Sequence, residues 1–349
     1  VAICDQLEDP RFVKGIVKRG VTELVTPGVS YNDNVLERKR NNFLASVHVG
    51  AHGLGVAFLD ISTGEFYAAE GTENYVFKLI QSLAPSEIIY SKSARTKLDA
   101  AFSQEYATFA LDDWAYALDF AQEKLIRQFK TANLKGFGIE GLSLAITAAG
   151  AVLQYLESTE HNDTHHIASI SRIDEERFVW LDKFTIRNLE LVTSQHEGGV
   201  PLLQVLDETV TPMGSRLLRK WMVLPLREVS AIEERLSVVG LLFEDADLAE
   251  KITASLRHVA DLERLISKVA VGRINPRELL QLKKSLQAIV PVKEVLSAHQ
   301  ATALKKLGDQ LNRCDFLLEK VEKELRDDAP MLMHQGGVIK DGVDSELDE

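Results

Sequence analysis

The sequence predicts a multidomain protein, a mixed α/β domain followed by an all-helical one, on three observations. Period-two alternation runs from about Asn41 through FLASVHVGAHGLGVAFLDISTGEFYAAE, the mark of half-buried strands. Strand signals nearly vanish beyond about residue 160. From there helix punctuation dominates, with capping residues ahead of apolar periodic runs. At 349 residues, 45% hydrophobic and 26% charged, the chain is long enough for more than one core.

Residues 1 to about 32 alternate short apolar runs with charge and end at the turn signal Thr26-Pro27-Gly28, so they read as the last strands of a preceding domain and a linker. The domain from 33 to 160 opens with two or three antiparallel strands around a Ser62-Thr63-Gly64 turn. Helices then alternate with a short strand, Glu87 to Tyr90, until a small-residue apolar helix from Ala145 to Tyr155 closes it. The polar stretch His161 to Ile167 reads as a solvated interdomain loop.

In the helical half, 161–349, Thr211-Pro212 starts a helix whose expected buried stripe is Leu217, Leu218, Trp221 and Met222, and which Pro225 stops. Ser230 and Glu233 form an expected capping box, with Ile232, Leu236, Val239, Leu242 and Phe243 as the apolar face behind it. Asn275-Pro276-Arg277-Glu278 repeats the start signal after Gly272 ends the helix holding LERLISKVAV. The last residues announce one more helix at Asp344 or Ser345, which implies a polypeptide continuing past Glu349.

Charge and composition narrow the function. The formal net charge of −12 repels a polyanion overall, so nucleic-acid contact requires local basic patches. Candidate patches are Arg38-Lys39-Arg40 and Arg216, Arg219 and Lys220, each of which reads more readily as an ordinary solvated helix face or an interdomain salt-bridge surface than as a phosphate contact. Cys4 and Cys314 have no metal-ligand spacing and read as reduced, buried thiols. No apolar run approaches the roughly 20 residues of a membrane span, and no signal peptide starts the chain, which points to the cytoplasm.

Gly136-Phe137-Gly138-Ile139-Glu140-Gly141 fits G-x-G-x-x-G, yet QEKLIRQFKTANLK before it reads as helix where a dinucleotide site needs a strand. His161, His165 and His166 could offer metal-ligand nitrogens, without a cysteine nearby. Asp60 sits where a ribonuclease-H-type nuclease places a metal-binding aspartate. The only acidic pair in that domain, Asp112 and Asp113, reads as a cap for WAYALDFAQEKL. Gly50 and Gly55 are spaced as in a phosphate-binding loop, but Val56 follows where lysine is required.

Taken in order, VAICDQLEDP, KGIVKRGVTELVTPG, LDISTGEF, FGIEGLSLAITAAGAVLQYL, LDKFTIRNLELVTS, LLQVLDETVTPMGSRLLRKWMVLPL, IEERLSVVGLLF, DLERLISKVAVGRINPRELLQLKKSL and GGVIKDGVDSELDE resemble the MutS family over essentially the whole length. The resemblance implies the tail of a mismatch-binding domain at 1–32, a ribonuclease-H-like connector at 33–160 and a helical core or lever domain at 161–349. It implies a parent that binds mismatched duplex DNA, uses ATP and Mg, forms a homodimer and recruits a MutL-like protein through the connector. No catalytic, metal or cofactor residue is then expected in this span. The expected contribution is mechanical, with long capped helices acting as stiff levers. Thr185, Arg187, Asn188 and Glu190, with Thr211, Met213, Gly214, Arg216 and Trp221, are the expected junction where the levers meet the connector. The alternative is a metal-dependent nuclease built on Asp60.

Overall fold

The alternation at the start of the chain forms an antiparallel ribbon, β1 (Ala2–Gln6) with β2 (Arg19–Leu24). These positions come from a computed structural model that describes residues 1–8, 12, 13 and 15–348. Asp9 and Pro10 of VAICDQLEDP, Lys14 of KGIVKRG and the terminal Glu349 lie outside the described residues.

The longer alternating run gives β3 (Leu44–Val49), β4 (Leu54–Asp60) and β5 (Glu65–Gly71), successively antiparallel. The Asp60–Gly64 turn between β4 and β5 closes with the Gly64 amide donating to the Asp60 carbonyl at 2.8 Å, and Gly64 supplies the positive φ, +77°, that the turn needs. Next come α1 (Glu73–Leu83), β6 (Glu87–Ser91), α2 (Arg95–Phe102), β7 (Ala107–Leu111), α3 (Leu118–Phe129), α4 (Ser143–Ser158), β8 (Ser171–Arg172) and α5 (Lys183–Asn188). The sheet order is β7-β6-β3-β4-β5-β8, with β6 and β7 parallel to β3 and β8 parallel to β5.

Every residue of β4 and β6 is buried, the signature of strands covered on both faces. Helix α4 lies on the sheet so closely that a Cβ on Gly55 would sit 2.1 Å from the Leu144 carbonyl group. On its other side Gly150 meets α3, where a Cβ would stand 2.4 Å from Ala121 Cα. Gly55 of β4 therefore sets the helix–sheet distance and Gly150 of α4 the helix–helix distance.

The chain divides into two compact units, Val1–Glu176 with Trp180–Pro201, and Arg177–Val179 with Leu202–Glu349. The second contains α6 (Leu202–Leu206), α7 (Pro212–Val223), α8 (Val229–Glu244), α9 (Ala246–Leu256), α10 (Leu262–Ala270), α11 (Pro276–Ala298), α12 (Thr302–Gln310), α13 (Asp315–Glu324) and α14 (Ser345–Asp348). Helix α11 is its spine, entering three apolar clusters: Val292 and Leu296 with Leu248 and Leu304, Leu282 and Leu286 with Leu265, and Leu280 with Val321, Leu325 and Ala329. Pro291 inside α11 has no N–H for the Gln287 carbonyl, so the ladder is interrupted in its last two turns.

Two start signals take the expected form. Asn275 and Glu278 make a reciprocal capping box at 2.9 Å each, with Pro276 in the first turn, and Thr211 caps α7 by accepting from Gly214 N at 3.1 Å. Ser230 does not cap: Leu226 bridges Phe178 and the Arg227 amide bonds to Arg177, which holds that chain extended, and α8 starts at Val229 before the serine. Ser230 Oγ instead donates to Glu228 at 2.9 Å.

The apolar stripes turn differently from expectation. In α8 the packed side is Val238, Leu241 and Leu242, while Leu236, Val239 and Phe243 are exposed. That helix carries apolar residues on more than one face, so periodicity fits several rotations. In α7 the buried residues are Ser215, Arg216 and Val223, and Leu217 and Trp221 are exposed. Asp112 and Asp113 cap no helix through their side chains; Asp112 accepts from Lys92 Nζ and Asp113 from Ser93 N, tying the end of β7 to the turn after β6. Cys4 is exposed and Cys314 half-buried, both as free thiols.

Candidate functional site

The expected junction residues fall in two self-contained motifs, one in each unit. In the first unit Asp182 caps α5 by accepting from Thr185 N at 2.7 Å. The chain leaves α5 through exposed Asn188 and then Glu190, whose φ of +45° turns it back. The Glu190 carboxylate accepts from Gln195 N at 2.8 Å and Ser194 Oγ at 3.2 Å, and Gln195 Nε2 donates to the Arg187 carbonyl at 3.0 Å. The Gln195 amide above all, with the Ser194 hydroxyl, holds Glu190 below the usual carboxylate range against the opposing effect of desolvation. The exposed Arg187 guanidinium lies 6.0 Å from the Phe184 ring.

In the second unit the site is built around Arg216, which is 3% exposed. Its two terminal nitrogens donate to the two Asp261 oxygens at 2.7 Å each, and Nη2 also reaches Glu263 at 2.5 Å. Burial lowers the Arg216 pKa, but Asp261 and Glu263 more than offset this and leave it raised, so the charge is permanent. Asp261 is the N-cap of α10 and Glu263 lies in its first turn, where the helix dipole favours negative charge. Beside this fork, Asp207 accepts from Ser215 Oγ and Thr209 Oγ1, fixing the loop that leads into Thr211, Met213 and Gly214. Trp221, two turns along α7, stacks under the Arg235 guanidinium at 3.7 Å.

The rival readings meet other uses of the same residues. Asp60 is fully buried, and its oxygens accept from Asn41 Nδ2, Asn42 N, Ser62 N and Ser62 Oγ at 2.7 to 3.1 Å. Those donors make it a structural acceptor for the hairpin. Among the described residues no group of three or more His, Cys, Asp or Glu is placed to hold a metal ion. Gly136 and Gly138 follow α3, and the amides of Leu144 and Ala145 that open α4 are taken by the Glu70 carboxylate at 2.8 and 3.2 Å. A phosphate would have to displace that carboxylate.

Two of the three histidines, His161 and His166, are held inside the first unit, while His165 is exposed as a solvated loop would have it. His161 is 5% exposed, with Nε2 3.3 Å from Glu23 and Nδ1 3.1 Å from Thr159 Oγ1, and His166 Nε2 donates to the Ile61 carbonyl at 2.7 Å. With buried Ile167 they anchor both ends of residues 161–167 to the first unit. Of the basic clusters, Arg216 is committed to its acids, and Arg40 donates to the Ala84 carbonyl and pairs with Glu37. Reading the sequence alone missed Asp261, Glu263, Glu70 and the buried Glu87, which accepts from Thr26, Gly28 and Tyr155. Asp261 was visible as a cap before LERLIS; its pairing across 45 residues carries no local signal.

Three family models match in order along the chain: MutS domain I at residues 1–34, MutS domain II at 42–168 and MutS domain III at 184–348. The DNA mismatch repair protein MutS of Cytophaga hutchinsonii is 54% identical over all 349 residues, which span 41% of that protein. The proteins of the same name from Bacteroides fragilis and Bacteroides thetaiotaomicron are 54% and 53% identical over the same length, 40% of each. The chain thus spans about two fifths of the length of the curated relatives it matches. Among the described residues no helix is long and apolar enough to cross a membrane.

Proposed function

Because the chain belongs to the MutS family of DNA mismatch repair proteins, we propose that it is the transmission section of a mismatch-recognition ATPase. In this reading the parent protein binds mismatched duplex DNA, hydrolyses ATP with Mg²⁺, works as a cytoplasmic homodimer and recruits a MutL-like protein through the α/β unit. The residues of this chain do not suit ATP or Mg²⁺: Val56 stands where a phosphate-binding loop needs lysine, and Glu70 occupies the α4 amides. The chain's own task is to carry displacement between the DNA and nucleotide stations.

The strand order β5-β4-β3-β6-β7, with only β4 antiparallel to its neighbours, supports a ribonuclease-H-like connector. For the lever, the observation that carries the reading is the Arg216 fork. A buried, bidentate guanidinium makes α7 and the start of α10 move as one body, and α11, about 34 Å long at 1.5 Å per residue, passes through all three clusters behind it. Thr185, Arg187, Asn188 and Glu190 on one side and Thr211, Met213, Gly214, Arg216 and Trp221 on the other are the proposed coupling residues.

The test is Arg187→Ala, an exposed position, in the full-length parent. Basal ATP hydrolysis and mismatch binding are expected to persist while stimulation of hydrolysis by mismatched DNA falls about fivefold or more, the usual size of a lost coupling. Unchanged stimulation removes the reading. Co-purification of a MutL-like protein with residues 33–160 tests the docking half.

A further inference from the structure

The second unit carries a groove of about 370 Å³ along α7, α8 and α12, of which the relay reading uses Trp221 alone. Its floor is apolar, formed by Trp221, Leu226, Val239 and Leu307, and three of these remain well exposed: Trp221 at 39%, Leu307 at 40% and Val239 at 60%. Arg177 and Arg235 also line it. The Arg235 guanidinium lies 3.7 Å from the centre of the Trp221 indole, and that of Arg177 5.8 Å from the Phe178 ring.

Neither guanidinium has an ion-pair partner among the described residues, although the chain carries 52 carboxylate side chains against 40 cationic ones. The remaining charges of the groove, Lys306 and Glu234, neutralise each other at 2.6 Å. Burial, and then the neighbouring Arg177 charge, lower the Arg235 pKa, and both guanidiniums line the same groove. A guanidinium stacked on an indole keeps its N–H donors in the plane of the stack, pointing past the ring edge, where a carboxylate can take two of them.

We propose that this groove docks an acidic amphipathic helix, with a carboxylate against Arg235 and Arg177 and the adjacent apolar residues on the Trp221–Leu307 floor. Charge complementarity selects the occupant. Two unpaired cations at the edge of an apolar floor suit a single carboxylate flanked by leucine-like side chains. A nucleic-acid backbone would meet Glu234 and the apolar floor, with too few cations to follow it.

The experiment uses the 349-residue chain and a fluorescein-labelled 18-residue helical peptide bearing leucine at i, i+3, i+4 and i+7, with glutamates beside that stripe. Anisotropy is expected to show saturable binding that weakens with salt and falls about tenfold or more in Arg177→Gln/Arg235→Gln, the loss of about one charge-assisted hydrogen bond. Leu307→Asp, which places a like charge on the floor, is expected to weaken it as well. The Trp221 indole N–H resonance should shift on binding. No binding, equal binding to the doubly substituted chain at unchanged melting temperature, or equal binding of a peptide with lysine for glutamate would each overturn the proposal. So would concentration-dependent self-association abolished by the same substitutions, since a second copy would then be the occupant.

Discussion

Arg216 and Asp261 face each other through two parallel N–H···O bonds of 2.7 Å, one from each terminal guanidinium nitrogen, 45 residues apart in sequence. The guanidinium is almost wholly buried and Asp261 partly so. Burying such a charge is tolerable only while its partners stay in place.

Removing the cation should therefore cost more than the pair itself contributes. Arg216→Ala is expected to destabilise the helical unit by about 3 kcal/mol, since Asp261 and Glu263 would be left facing a cavity. Arg216→Lys keeps the charge but not the fork, and should lose less. Urea unfolding followed by far-UV circular dichroism measures both; Arg216→Ala within about 0.5 kcal/mol of the parent would refute a structural role for the fork.

Gly55 faces the backbone of Leu144 with no room for a methyl group. Gly55→Ala must push α4 off β4 or bend the strand, and overpacking of that kind costs about 1–3 kcal/mol. A lowered melting temperature, with hydrogen exchange accelerated in β4 and α4 before the helical unit, is the expected result.

Glu190 supplies a pH dependence with a definite sign. Its carboxyl is held below the usual range by the Gln195 amide and the Ser194 hydroxyl, so the folded pKa lies below the unfolded one. The stabilisation is complete above the unfolded-state value and is lost as pH falls through the folded-state value. The amide resonance of Gln195 should shift only on the acid side of ordinary glutamate titration, and Glu190→Gln should abolish that step. A midpoint at or above the ordinary value contradicts the assignment.

At the start of α11, Asn275→Ala removes one half of the capping box. A loss of about 1 kcal/mol is expected, with faster exchange of the Glu278 amide, which now bonds to the Asn275 side chain. Equal stability and exchange would mean that the cap contributes nothing.

Local chemistry is what the bare sequence determined. Thr211-Pro212 and Asn275-Pro276 announce their helices because a cap is a contact between residues three apart. The Ser62-Thr63-Gly64 hairpin and the strands beside it follow from alternation and one positive φ. The order of the segments from VAICDQLEDP to GGVIKDGVDSELDE sufficed to identify the family. Tertiary structure alone decided which face of each helix is inside. Leu236, Val239 and Trp221 read as core yet are exposed, and Arg216 reads as surface yet is buried. Hydrophobicity is a property of one residue, whereas burial depends on what the rest of the chain brings against it. A cation goes inside when carboxylates 45 and 47 residues away are delivered to it. Asp60 follows the same rule: its neighbours Asn41, Asn42 and Ser62 supply the donors that make a buried carboxylate part of a turn.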